Sequence, residues 1–306
     1  MTQLMATDLD GTLLDSRSRL SAANRAALTA LGEAGVMRAI VTGRSLYSAL
    51  KVIDGDWPID FLVFSTGAGI VRWQDRELVR ALHMAPAQAS SAAQTLIALE
   101  LDFMLHAPVP DNHHFWFRRA DRTGGGSSDP RGENEDFDRR IERYAESARA
   151  WPPGWPGPVA VRNTASGRNG GESAEFEAAP AGFSQLLAVE NPRAPSRYTE
   201  VVRRLCDLSV IRSTSPLDHE SWWIEIFPKG VSKSEAVAWL CETEGLDRAG
   251  VTALGNDYND EDMLAWAPRG WVVANAVTPL LEKFPVVSAN DADGFADAVE
   301  RLMRGG

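Results

Sequence analysis

Cysteine is nearly missing from this chain: 306 residues contain two, Cys206 and Cys241. They have no metal-ligand spacing and support no disulfide assignment, so both read as plain interior thiols. Positive charge is also short, with 31 Lys and Arg against 42 Asp and Glu and a formal net charge of −11. A nucleic-acid partner needs a broad basic surface, and that balance excludes one. No apolar run approaches the ~20 residues that span a bilayer. The first such run is cut at once by Asp8 and Asp10, unlike a secretory leader. These absences lead to the expectation of a cytoplasmic protein with no membrane partner. An acidic protein acting on an anion must then gather its few cations in one pocket.

Hydrophobic residues make up 44% of the chain, enough for a sizeable core, and the length suits about two domains. Gln3 to Thr7 is a short apolar run stopped by acidic residues and Gly11, the pattern of a buried strand ending in a polar loop. Ser21 to Ala34 predicts a helix closed by Gly35. Val36 to Val41, Phe61 to Phe64, Val251 to Leu254 and Trp271 to Ala274 read as further strands. Ser232 to Leu240 predicts a helix opened by a capping box of Ser232 and Glu235, and Phe295 to Met303 a closing helix. Strands alternating with helices imply parallel pairing with right-handed crossovers. The expected fold class is α/β, a doubly wound parallel sheet carrying an inserted α/β domain.

The middle differs in character. Leu82 to Leu101 reads as helix, and His113 to Arg119 as an aromatic strand. A further helix is expected between Glu133 and Arg149. Gly124 to Ser128 and Pro152 to Pro158 are loop punctuation within a Gly-, Ser- and Pro-rich stretch. His83, His106 and His219 are isolated and read as structural, and the strand from His113 reads as structural first. Regular α/β patterning returns near Pro216, where Trp222 to Phe227 alternates as a strand. The expected division is a core of residues 1–82 with 216–306 and an insert of residues 83–215.

Chemistry concentrates in four clusters. In Asp8-Leu9-Asp10-Gly11-Thr12, two carboxylates at i and i+2 lie just beyond a strand, where open α/β sheets bind ligands. One can attack while the other moves protons, so Asp8 is the candidate nucleophile and Asp10 the candidate acid and base. Gly11 lets the chain turn away. This cluster resembles the first motif of the haloacid dehalogenase-like superfamily, in its phosphatase branch, where the second Asp is the distinguishing residue.

The other clusters follow in the order of that family. Thr42-Gly43-Arg44 resembles its second motif; the Thr42 hydroxyl and the following backbone N–H groups suit a phosphoryl oxygen. Arg44 either meets substrate or pairs with an acid. Pro228 to Lys233 resembles the motif whose last Lys holds the phosphoryl group and the nucleophile. Lys233 would sit in a first helical turn, where the macrodipole disfavours a cation unless an anion is near; Lys229 reads as solvated. Gly255-Asn256-Asp257-Tyr258-Asn259-Asp260 departs from the family's G-D-x-x-N-D by having Asn256 where Asp is usual. The resemblance implies a Mg²⁺ site made by Asp8, the Asp10 carbonyl, Asn256 and Asp260, with Asp260 a direct ligand or a support behind one and Asp257 a substitute if the loop shifts. Asn259 would reach the phosphate. Asn256 can still ligate through its amide oxygen, with less negative charge on the metal. Ala274-Asn275-Ala276 and Asn290 to Gly294 resemble the family's closing motifs.

About 190 positions separate Thr42 from Lys233, far more than a crossover connection needs. In the resembling family such an insert is the type II cap of the IIB, Cof-like and sucrose-phosphatase-like group. That implies a magnesium-dependent phosphatase working through an aspartyl-phosphate on a small phosphorylated metabolite, a sugar phosphate foremost. Transfer to an alcohol, including a mutase, and a binding protein on an impaired scaffold are the other readings. Neither the particular substrate nor the oligomeric state is written in the sequence.

Overall fold

The computed structural model describes residues 2–121, 134–151, 181–218 and 220–304. The Gly124 to Ser128 and Pro152 to Pro158 stretches and His219 lie outside them. Fourteen strands occur among the described residues: β1 (Leu4–Thr7), β2 (Met37–Val41), β3 (Phe61–Phe64), β4 (Gly69–Arg72), β5 (Glu77–Ala81), β6 (Asp102–His106), β7 (Phe115–Arg118), β8 (Ala148–Ala150), β9 (Gln185–Glu190), β10 (Ser209–Thr214), β11 (Trp222–Phe227), β12 (Val251–Gly255), β13 (Arg269–Val273) and β14 (Val286–Val287).

The first sheet runs β14-β13-β12-β1-β2-β3-β4-β5. Its pairs from β14 through to β3 are parallel, and β4 and β5 extend it antiparallel. Strands β1, β3 and β12 are buried at every position, which is why they read as unbroken apolar runs rather than alternating ones. Helices cover both faces. Leu28, Leu31, Phe295, Ala298 and Val299 pack on one side with Met5, Leu9 and Ile40. Ala236, Val237, Leu240, Met263 and Leu264 pack on the other with Leu4, Ala6 and Val41. The helix Ala22–Glu33 starts where Ser21 accepts from the Asn24 N–H. Gly35 follows it with φ of 73°, the left-handed conformation that a glycine adopts freely.

The second sheet runs β10-β11-β9-β6-β7-β8, antiparallel except for the last pair. Helices Pro86–Ala98 and Tyr198–Arg204 pack on one face. Helix Glu135–Arg143 lays Phe137 and Ile141 on the other, against Met104 and Phe115.

One expectation needs correcting. A boundary at residue 216 puts Trp222 to Phe227 in the first domain, yet β11 pairs with β9 and β10 in the second sheet. Alternation identifies a strand but not the sheet it joins. Here Trp223 packs under Phe137 while Ile224 and Ile226 join the opposite face. The chain returns to the first sheet only after Phe227.

Candidate active site

In the first sheet the chain order reverses at β1, which has β2 on one side and β12 on the other. The carboxyl ends of these three strands form the crevice where such sheets bind ligands. Asp8 begins there, its N–H bonded to the Leu254 carbonyl at 2.9 Å. Leu9–Leu13 then makes one wide turn with Gly11 at φ 70°. A Cβ on Gly11 would also crowd the end of the Asn256 side-chain amide at 2.7 Å, a second reason for glycine here. The closing motifs hold this turn: Asn275 Nδ2 donates to the Gly11 carbonyl at 2.8 Å, and Asn290 Nδ2 to the Leu14 carbonyl at 2.9 Å.

Asp8 is 5% exposed and Lys233 is fully buried. Lys233 Nζ donates to Asp8 Oδ1 at 2.7 Å and also to Asp260 Oδ1. The cation in the first turn of helix Lys233–Glu244 is therefore held by two carboxylates, with Ser232 capping the helix through the Glu235 N–H. Burial and the Asp260 charge raise Asp8 to about 7, against the lowering effect of Lys233. Lys233 itself is shifted up by Asp260 and Asp8, which outweigh its burial.

Asp260 was expected as a metal ligand, direct or supporting, and the geometry places it behind the site. Besides Lys233, its second oxygen accepts the N–H groups of Asn256 at 2.9 Å and Asp257 at 3.0 Å. Both oxygens are engaged, and the residue is fully buried. Asp260 folds the loop and anchors the lysine. Asp257 turns away too, accepting from Thr214 N at 3.0 Å and Thr214 Oγ1 at 2.9 Å on the second sheet.

Asp10 is part-exposed and gripped by Arg44, whose Nε and terminal nitrogen donate to its two oxygens at 2.7 and 2.6 Å. Arg44 thus pairs with an acid, and that acid is the proposed proton donor. Arg44 is shifted up by that partner against its own desolvation. Thr42 Oγ1 accepts the Arg44 N–H at 3.1 Å, leaving its hydroxyl proton for another acceptor. A Cβ on Gly43 would lie 3.6 Å from both Asn259 Nδ2 and Thr66 Oγ1. The Asn259 amide is therefore beside Gly43.

The implied cation can be tested against the donors present. Asn256 stands between Thr12, Asp10 and Asp8. In the orientation that satisfies all three, its nitrogen lies 2.9 Å from Thr12 Oγ1, 3.1 Å from the Asp10 carbonyl oxygen and 3.2 Å from Asp8 Oδ2. Turning the amide over presents Oδ1 beside the same two oxygens. One carboxylate, one carbonyl and one amide oxygen converge, a hard donor set of the kind Mg²⁺ takes with waters. The residues fit, with one carboxylate in the set.

Sequence reasoning missed the other wall. A narrow cleft opens over Gly43, Ser45 and Ser65 of the first sheet and is faced by His106, Asn112, His113, Phe115, Arg140, Tyr144 and Gln185 from the second. Asn112 Nδ2 crosses to Ser65 Oγ at 2.7 Å, and Tyr47 stacks on His113 at 4.2 Å. Ser65 and Thr66 both carry positive φ, 48° and 58°, strain of the sort that collects at working sites. Thr66 Oγ1 donates to Glu225 Oε2 at 3.3 Å, and Ser213 to Oε1 at 2.7 Å. These residues come from separate elements with no shared motif, so only their meeting in space identifies them.

An aspartate thus stands at the mouth of a doubly wound sheet, with a second sheet facing it. A family model described as haloacid dehalogenase-like hydrolase matches residues 5–150 and 160–299. The chain belongs to that family, and two relatives that it matches over nearly their full length are phosphatases by name. The 5-amino-6-(5-phospho-D-ribitylamino)uracil phosphatase YwtE of Bacillus subtilis (strain 168) is 23% identical over 98% of this chain and 98% of its own length. The putative phosphatase YxeH of the same organism is 23% identical over 99% of each. Among solved structures, SMU.1108c from Streptococcus mutans UA159 aligns with a TM-score of 0.72 at 15% identity, covering 99% of this chain and 100% of that one. The subclass IIB sugar phosphatase BT4131 aligns at 0.66 and 14% identity over 99% of both. At those identities the structures establish the shared fold.

Proposed function

We propose that this protein is a magnesium-dependent phosphomonoesterase that works through a phosphoryl group carried on Asp8. The observation behind this reading is one carboxylate, Asp8, buried against Lys233 at 2.7 Å, with Asp10, Thr42 and Asn259 around the same strand ends. The Asp8 carboxylate attacks phosphorus while the ester P–O bond breaks on the opposite side. Asp10 gives its proton to the leaving oxygen. Thr42, Lys233 and Asn259 hold the equatorial oxygens, where charge is spread in a loose transition state. Water then attacks the acyl-phosphate as Asp10 takes its proton, which frees phosphate and restores Asp8. Asp8, the Asp10 carbonyl and Asn256 would hold Mg²⁺. When bound, it offsets the charge of one anion approaching another. A small phosphorylated metabolite of sugar type is the proposed substrate, in keeping with the names of YwtE and BT4131. Among the described residues no helix is long and apolar enough to cross a membrane.

The test is phosphate release from 4-nitrophenyl phosphate and a sugar-phosphate panel, with and without Mg²⁺, by the wild type and Asp8→Asn. Turnover that needs Mg²⁺ and vanishes in the variant is the expected result. An inert wild type across the panel with several divalent metals would overturn the reading.

A further inference from the structure

The cleft above Gly43 contains polar groups that the proposed chemistry at Asp8 does not use. His106 is 2% exposed, and its Nδ1 lies 2.7 Å from the Asn112 carbonyl oxygen. Burial and the nearby Arg140 push this imidazole down to about 3, so it is neutral. With the proton on Nδ1 toward that carbonyl, Nε2 is a bare acceptor, buried and without a partner among the described residues. Asn112, also 2% exposed, gives its amide nitrogen to Ser65 and leaves Oδ1 in the same state.

Arg140 faces the cleft from helix Glu135–Arg143. Its Nε is buried with no hydrogen-bond partner among the described residues. The guanidinium instead rests over the Trp223 and Tyr144 rings, 4.6 and 5.4 Å from their centroids. Glu225 and Asp136 are the carboxylates whose charge reaches it. Each is engaged elsewhere: Glu225 accepts from Ser213 and Thr66, and Asp136 accepts from Ser215 and from Trp223 Nε1. A guanidinium whose Nε is buried without an acceptor is costly until an anion pairs with it.

We propose that this cleft receives the leaving group of the substrate, and that Arg140 binds a second anionic group on it while His106 and Asn112 accept from its hydroxyls. The inference rests on the phosphomonoesterase reading and names the substrate class within it: a compact hydroxylated phosphomonoester bearing a carboxylate or a second phosphate. The cleft is narrow, far below the room of a typical ligand pocket, so it admits a compact group and excludes bulky leaving groups. Two waiting acceptors require donors, which hydroxyls supply. An uncharged polyol would leave the guanidinium unpaired.

The test compares kcat/KM within matched pairs. 3-Phosphoglycerate against glycerol 3-phosphate reports on the carboxylate, and fructose 1,6-bisphosphate against fructose 6-phosphate on the second phosphate. 4-Nitrophenyl phosphate reports whether the enzyme hydrolyses phosphomonoesters at all. The wild type should favour the anionic member of one pair by about tenfold or more. Arg140→Gln should bring that ratio to within about threefold, and Arg140→Lys, which keeps the charge, should retain part of it. The pair that discriminates identifies the second anion. Turnover of the aryl phosphate with no preference in either pair, or a preference that survives Arg140→Gln, would overturn the subsite and leave the phosphatase reading standing. Inertness toward all five compounds would overturn both.

Discussion

Arg44 closes both carboxylate oxygens of Asp10 in a two-pronged grip, with nitrogen to oxygen distances of 2.7 and 2.6 Å. The two residues come from the turns after adjacent strands, β1 and β2, so the sheet itself sets their spacing. A planar fork fixes the carboxylate plane as well as its position. Arg44→Ala should therefore lower kcat by about 10- to 100-fold through misplacement of the proton donor. Arg44→Lys should recover little, because an ammonium cannot hold both oxygens in one plane. Steady-state kinetics with two unrelated phosphate esters checks this: a loss confined to KM would make Arg44 a substrate ligand only.

The carboxylate of Asp8 is the group whose ionisation should govern the pH profile. Its value of about 7 stands above the ordinary 3.8. Attack needs the ionised form, so the acid limb of kcat/KM should rise as pH passes upward through about 7, a limb that bound Mg²⁺ moves to lower pH. Stability runs the other way. Between the unfolded and folded values the native state holds more protons than the unfolded one, so stability falls as pH rises from about 4 to about 7. Asp8→Asn should abolish turnover yet raise Tm at pH 8, by an amount worth on the order of 1–3 kcal/mol, with the gain vanishing near pH 4. Thermal melts at the two pH values, without metal, decide it; a lower Tm for the variant at pH 8 would contradict the account.

The core strands were legible because buried parallel strands are written as short apolar runs stopped by Gly and Asp. Leu4–Thr7, Phe61–Phe64 and Val251–Gly255 lie where those runs predicted. Asp8, Thr42, Lys233 and Asn259 were legible for a related reason: each follows a strand or opens a helix, and the sheet brings such ends together. The orientation of Asp260 was not. Nothing in a one-dimensional pattern distinguishes a carboxylate facing a cation from one facing the loop's own N–H groups and Lys233. The place of β11 and the roles of His106, Asn112 and Arg140 depend on pairings across long separations, which local periodicity does not encode.

Asn256 supplies a neutral donor beside Asp8 Oδ2 and the Asp10 carbonyl, with its amide nitrogen 3.2 and 3.1 Å from them in the satisfied orientation. A carboxylate there would add charge for the cation and repulsion without it. Asn256→Asp should tighten Mg²⁺ binding by about tenfold, an expectation from ligand charge, and should lower Tm in EDTA while enlarging the gain on adding Mg²⁺. Calorimetric titration of Mg²⁺ and paired melts read both signs. Equal affinity in the two proteins would place the cation away from this residue.

Asp257 joins the two sheets. Its oxygens accept from Thr214 N and Oγ1 at 3.0 and 2.9 Å, a contact from the loop after β12 to the end of β10. The second sheet must stay over Gly43 for the cleft residues to meet a substrate, and this contact helps to hold it there alongside Asn112 to Ser65. Asp257→Ala removes both hydrogen bonds, while Thr214→Val removes only the hydroxyl's and keeps the backbone N–H. KM for a cleft-filling substrate should rise about tenfold in the first variant and about threefold in the second, following the loss of a charge-assisted pair and of one member of it. Because Asp257 faces the second sheet, the Mg²⁺ dissociation constant should be the same in both variants as in the wild type. That comparison separates the two roles open to an acidic residue in this loop: a loss of Mg²⁺ affinity in Asp257→Ala would make Asp257 a cation ligand after all, whereas unchanged affinity with raised KM makes it the catch between the two sheets.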